Sequence, residues 1–279
     1  MNFKNQLRSL IIRLLKEEHA DYIRYLRFSR KIRDLDKFKK KHYEVFEPEM
    51  EILEKLLFKK YNTWLDIGAN YGSYSYLLSK FGNKETRIFA FEPIPNSYRI
   101  LSRIIRKFNL KNVYPVNMAI GEKEGNIEME TLDGVNAIAH ISFPNSSDYW
   151  RNIYKEEKKI RRQKVKIIKI DNFLNKAGIK GVDFIKCDVE GKELDVFKGA
   201  IKTIRKYHPI ILCEAEQELT RRYGIDADEL IHFLAKLNYE TFGYKDKRLI
   251  RVDKVSSDHK NYIFINKATL DQVKLKKVS

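Results

Sequence analysis

The chain has 279 residues, 43% of them apolar and 33% charged, which is too hydrophobic for a disordered polymer and long enough to bury a sizeable core. No apolar run approaches the roughly 18 residues that cross a bilayer, and the interrupted N-terminus MNFKNQLRSLIIRLLKEEHADY lacks the pattern of a secretion signal, so a cytoplasmic location is expected. A formal charge of +17, from 55 basic and 38 acidic residues, favours polyanionic partners: nucleic acid, an anionic membrane face or phosphorylated substrates.

Residues 1–42 carry 13 Lys or Arg against 5 Asp or Glu and read as a basic helical extension. Leu7, Leu10, Ile11, Leu14 and Leu15 follow helical spacing, with Arg8, Arg13 and Lys16 elsewhere around the wheel. Such an amphipathic helix suits packing on the main domain or on a second subunit, or lying on an anionic membrane. Past residue 62 short apolar runs alternate with helical patterns. The strand candidates are 63–67 (TWLDI), 87–92 (RIFAFE), 113–120 (VYPVNMAI), 182–189 (VDFIKCDV), 210–214 (IILCE) and 262–266 (YIFIN). Between them Leu101, Ile104, Ile105 and Phe108, and then Phe197, Ala200, Ile201 and Ile204, each follow i, i+3, i+4, i+7 spacing. This alternation predicts βαβ units and a doubly wound, largely parallel sheet within a domain spanning 43–279. The segment 121–170 interrupts the rhythm with the turn-rich LDGVNA and FPNSSD, contains a second basic run at 151–169, and reads as an insertion over one end of the sheet. Cys187 and Cys213 lie inside apolar runs, as buried hydrophobes do, and His140 and His208 have no metal-spaced partner.

In open α/β sheets ligands bind beyond the carboxyl ends of the strands. The residues expected there are Asp66, Glu92, Asn117, Asp188, Glu190 and Glu214, so acids gather at one edge. In LDIGANYGS (65–73), Gly68 and Gly72 let the backbone bend against a ligand, and Asn70 is the non-glycine type that best accepts a left-handed conformation. Glu92 closes the next strand, the place from which an acid takes both hydroxyls of a ribose. The G-x-G-x-x-G of a nicotinamide site and the P-loop are both absent. A nucleoside without a pyrophosphate fits better, and S-adenosylmethionine is such a cofactor.

The stretches DIGANYGSYS (66–75), FEPIPNSY (91–98), AIGEKEGNIEM (119–129) and FIKCDVEGKELDVFKGA (184–200) resemble the FkbM family of S-adenosylmethionine-dependent methyltransferases, over roughly residues 43–266. The resemblance implies the class I methyltransferase, Rossmann-like fold: a seven-stranded, mostly parallel sheet whose last strand is antiparallel, with helices on both faces. It implies methyl transfer to oxygen on sugars or polyketide-like products. By it Asp66, Gly68, Ala69, Asn70 and Gly72 would wrap the methionine part, Glu92 would hold the ribose, and Asn117 and Met118 would lie near the adenine.

A sugar hydroxyl is barely acidic at neutral pH, so a base or a metal must help as its oxygen attacks. Asp188 is expected to face the methyl end of the cofactor, with Glu190 either as the base or bonded to the Gly191 turn, and Lys186 neutralising the acids. Glu190 and Glu193 have an alternative reading as helix caps. Asp188 and Glu214 also occupy positions similar to the magnesium ligands of catechol O-methyltransferase, so Mg²⁺ is a second way to activate the oxygen. The expected acceptor is a sugar or glycan hydroxyl. Ribose 2′-O-methylation of RNA, or a non-catalytic nucleoside or glycan binder, are the alternatives, and residues 1–42 are a candidate contact with an anionic membrane surface.

Overall fold

Residues 63–67 are buried at every position, as a strand covered on both faces must be. The computed structural model describes residues 20–33, 47–57, 62–132, 139–143, 146–148 and 160–270. The amphipathic helix expected over 7–15 and the 151–159 part of the second basic run lie outside them. Among the described residues no helix is long and apolar enough to cross a membrane.

In chain order the strands are β1 (Thr63–Ile67), β2 (Arg87–Phe91), β3 (Val113–Val116), β4 (Ala119–Ile120), β5 (Gly125–Leu132), β6 (Ala139–Ile141), β7 (Ile160–Ile168), β8 (Phe184–Cys187), β9 (Ile210–Glu214), β10 (Tyr239–Lys245), β11 (Arg248–Arg251) and β12 (Asn261–Asn266). The helices are α1 (20–33), α2 (Met50–Leu56), α3 (Ser73–Phe81), α4 (Pro95–Lys107), α5 (Ile170–Lys176), α6 (Glu193–Lys198), α7 (Ile201–Tyr207), α8 (Gln217–Arg221), α9 (Asp228–Ala235) and α10 (Lys267–Leu270).

The main sheet runs β11-β10-β12-β9-β8-β1-β2-β3. Its centre is parallel, and β12 runs antiparallel to both β9 and β10. The last strand is therefore antiparallel, as expected, but the sheet has eight strands rather than seven. The extra one is β11, folded back on β10 through Asp246 and Lys247, both at positive φ (50° and 63°), the twist a two-residue hairpin requires. Its sequence RLIR has no apolar run for periodicity to find. One hydrophobic cluster fills each face of the sheet, around Trp64, Leu78 and Ile104 on one side and around Leu65, Ile185 and Phe197 on the other.

Two expectations divide on inspection. The run 113–120 is two strands, β3 in the main sheet and β4 in a second one, separated by Asn117 and Met118. The helical pattern over 197–204 is likewise two helices, because the chain breaks at Gly199, where a Cβ would stand 2.1 Å from the Gly121 carbonyl oxygen. Asp171 of α5 then caps α7, accepting the backbone N–H groups of Lys202 and Thr203 (3.0 and 2.9 Å).

The turn-rich segment 121–170 contains long strands that its polar composition concealed. β4, β7, β5 and β6 form a four-stranded sheet with its own small core of Ile94, Ala119, Met129, Val165 and Ile167. Helix α1, from the basic stretch, lies against the main core: Ile32 is buried, Phe28 meets Tyr71 edge-on at 5.5 Å, and buried Asp21 accepts a bond from Arg99 of α4 (2.9 Å). Cys187 and Cys213 are buried and unbridged.

Candidate active site

The glycine turn is hooked onto the end of β2. Gly68 and Ala69 both donate to the Phe91 carbonyl (3.0 and 2.9 Å), and the next N–H, of Asn70, donates to the Glu92 carboxylate (2.9 Å). Gly68 (φ +78°) and Asn70 (φ +49°) both take the left-handed conformation that the sequence suggested. No side chain fits at residue 68, since a Cβ there would lie 1.7 Å from the Asp188 carbonyl oxygen. The other Glu92 oxygen accepts the Ile94 N–H (2.8 Å). Each oxygen thus keeps a lone pair for a further donor, as a pair of ribose hydroxyls requires. Burial pushes Glu92 up to about 7 despite these two bonds.

Next to the turn, β8 carries Lys186, almost fully buried, with its ammonium 2.7 Å from the Asp188 carboxylate and 4.7 Å from the centre of the Tyr74 ring. Burial works against that charge, yet Asp188, Asp66 and Glu47 together hold the Lys186 pKa above the usual lysine value. Asp66 is buried behind the turn, bonded by Ser75 (2.5 Å) and raised by burial against the pull of Lys186. Glu47 comes from the chain before α2. Tyr74 and Asn261 both donate to it, and burial raises it to about 7.

The chain then turns through Glu190, at φ +60°, and Gly191. The bond to this turn comes from Glu193, which accepts the N–H groups of Val189 and Gly191 (both 3.0 Å), so Glu193 does act as a local cap. Glu190 instead faces Arg222, 3.5 Å away, and is raised to about 7 by burial and then by Asp188. Glu214, at the end of β9, shares a hydrogen bond with Asp188; burial first, then the charges of Asp188 and Glu190, push its pKa well up and favour its protonated form. Asp188 and Glu214 do come together, but among the described residues no three His, Cys, Asp or Glu side chains form a metal-like group.

These elements open on a cavity of about 850 Å³, near the upper end of the roughly 300–1,000 Å³ usual for small-molecule sites. Gly68, Asn70, Glu92, Met118, Asp188 and Glu190 line it, with Glu214 beside them. Asp66, Ala69, Gly72 and Lys186 stand behind that lining and shape it: Ala69 and Gly72 belong to the turn, and Gly72 caps α3. Asn117 turns its amide to the Glu92 and Pro93 carbonyls (2.8 and 3.0 Å), fixing the strand end rather than facing the cavity. β5, β6 and β7 also line the cavity, through Thr131, Ile141 and Arg161, as does Arg24 of α1. Glu47, Tyr74, Arg222 and Arg24 carried no signal in the sequence, since none sits at a strand end or in a recognisable turn.

Residues 66–241 match the family described as the methyltransferase FkbM domain. The chain is 27% identical over 158 residues to the 2-O-methyltransferase NoeI of Sinorhizobium fredii, a match spanning 56% of this chain and 64%, less than two thirds, of that protein. Among solved structures, the methyltransferase FkbM from Methylobacillus flagellatus aligns with a TM-score of 0.44 at 16% identity, over 78% of this chain and 50% of that one. The O-methyltransferase from Bacillus cereus, in complex with SAH, aligns with a TM-score of 0.44 at 12% identity, over 89% and 91%.

Proposed function

The chain belongs to the FkbM family of S-adenosylmethionine-dependent methyltransferases, and from that premise we propose that the group it methylates is a hydroxyl of a sugar, a glycan or a related small molecule. The observation that carries this reading is a half-buried carboxyl poised near neutrality, Glu190, in the same cavity as Glu92, whose free lone pairs suit a ribose.

The residues present fit the cofactor. Glu92 has the free lone pairs for two ribose hydroxyls, the backbone of Gly68 to Asn70 gives close approach, and Ile94 and Met118 offer apolar contact for a base. When bound, S-adenosylmethionine supplies a methyl group already activated by its sulfonium. What remains for the chain is to align the acceptor and hold the proton it loses. Glu190 suits that proton, because a base titrating at about 7 is both ionised and basic enough at physiological pH. Asp188, bonded by Lys186 and Glu214, stands beside it. With Lys186 and Glu214 both bonded to Asp188, the charge that a magnesium ion would supply is largely answered, which favours the base over the metal. The 2-O-methyltransferase relative supports oxygen as the acceptor atom.

The test is to incubate the protein with methyl-labelled donor and a panel of free sugars, oligosaccharides and extract fractions, then locate the label by mass spectrometry. An O-methyl sugar is expected. Label on RNA ribose, or on nitrogen, would replace this reading with the corresponding alternative.

A further inference from the structure

The cavity lining carries charge of both signs. Carboxyl groups at the sheet edge, led by Asp188 and Glu190, line it, and so do Arg24 of α1 and Arg161 at the start of β7. Arg162 is bonded to Glu130 at 2.9 Å. Arg24 is only half answered: it bonds Asp21 at 3.0 Å, but the same carboxylate also holds Arg99 at 2.9 Å. Two guanidiniums share one buried acid, so that corner keeps an excess positive charge, and Asp21, at 1% exposure, is a rigid brace for it. A guanidinium at the wall of a half-enclosed cavity gains most from an anion it can grip with paired N–H groups.

Resting on the methyltransferase reading above, we propose that the acceptor carries an anionic group, a carboxylate or a phosphate, and that Arg24 and Arg161 receive it. The polarity of the cavity then orients the acceptor. Its anionic end is repelled from Asp188 and Glu190 and drawn to the arginines, which turns a hydroxyl at its other end toward the acids. Helix α1 becomes part of the acceptor site, and an acceptor that lacks the anion loses both its grip and its orientation.

The probes are glucuronate, glucose 6-phosphate and the neutral methyl glucoside, titrated calorimetrically into protein saturated with S-adenosylhomocysteine. One or both anionic sugars are expected to bind at least about tenfold more tightly than the neutral one, with that preference falling about tenfold in Arg24→Gln and in Arg161→Gln. The tighter of the two anionic sugars identifies the group as carboxylate or phosphate. Affinity for S-adenosylhomocysteine is expected to stay at the wild-type value in both variants, and Arg24→Lys, which keeps the charge, to recover part of the preference. Equal binding of the neutral sugar, no binding of either anionic sugar at millimolar concentration, or an unchanged preference in both variants would overturn the proposal. So would loss of S-adenosylhomocysteine binding in both variants, because the arginines would then be holding the frame. A single-stranded RNA oligomer that outcompetes both sugars also overturns it. Failure of the wild-type protein to bind S-adenosylhomocysteine at all would instead count against the methyltransferase reading.

Discussion

On the sheet-edge side of the cavity the main chain does the holding: Gly68 and Ala69 hang from Phe91, Asn70 and Ile94 from Glu92, and Val189 and Gly191 from Glu193. On the side built by the second sheet, side chains bridge the strands, Arg162 with Glu130 and Gln163 with Thr131. The difference matches the ligands. A cofactor that never changes can be met by fixed backbone turns, whereas an acceptor is met by side chains that can be exchanged without disturbing the fold. Changes on the first side should therefore damage stability and cofactor binding together, and changes on the second should alter acceptor choice alone.

The largest effect is expected from Lys186→Met. It strips a buried cation from beside Asp66, Asp188 and Glu47 and should lower unfolding free energy by about 3–5 kcal/mol, read from urea denaturation. A variant as stable as the wild type would mean that charge does not hold the cofactor side. Glu190→Gln comes next: kcat/KM should fall by roughly 10²–10⁴ while S-adenosylhomocysteine still binds. The wild-type rate should rise with pH through about 7, as Glu190 ionises, and the variant should lose that rise. Gly68→Ala forces a methyl group against the Asp188 carbonyl and should cost about 1–3 kcal/mol together with cofactor affinity. Intact affinity in a destabilised protein would separate two properties that the comparison ties together.

The smallest effect concerns pH and stability. Folding raises Glu214 above the usual carboxyl value, through burial and then Asp188 and Glu190, so its contribution is fully present below that usual value and is lost as pH rises above it. Glu214→Gln keeps a donor to Asp188 without that loss. Its melting temperature should exceed that of the wild type at pH 8 by more than it does at pH 5. If both proteins show the same pH slope, Glu214 is ionised in the folded state, and removal of divalent cations with EDTA becomes the next measurement, with unchanged turnover still expected.

The cofactor side was legible in the sequence because its signals are local. An acid, two glycines and an asparagine within nine residues fold where they stand, and β1, β2, β8, β9 and β12 announce themselves as apolar runs. Even there the division of labour was not: Asp66 and Asn117 shape the site from behind, and the bond expected of Glu190 belongs to Glu193. The acceptor side was opaque because it depends on pairings between distant stretches. Glu130 and Arg162 read as solvent-facing charges until β5 and β7 pair and bring them together. Arg24 lies in a basic stretch where nothing distinguishes it from its neighbours, and Glu47 reaches Lys186 only through the fold.

The contact between Gly121 and Gly199 has a wider consequence. The segment that builds the second sheet departs at residue 121 and returns at residue 168, and these two points are bonded side by side, Gly121 N–H to the Ile168 carbonyl. Its two ends are held side by side by that bond and by the pairing of Ala119 and Ile120 with Ile167 and Ile168, so a transplanted segment of other length would find its anchor points already in register. Chimeras that exchange residues 122–167 between related enzymes while keeping Met129, Val165 and Ile167 against Ile94 should fold around an unaltered donor pocket, a ready route to new acceptors by recombination.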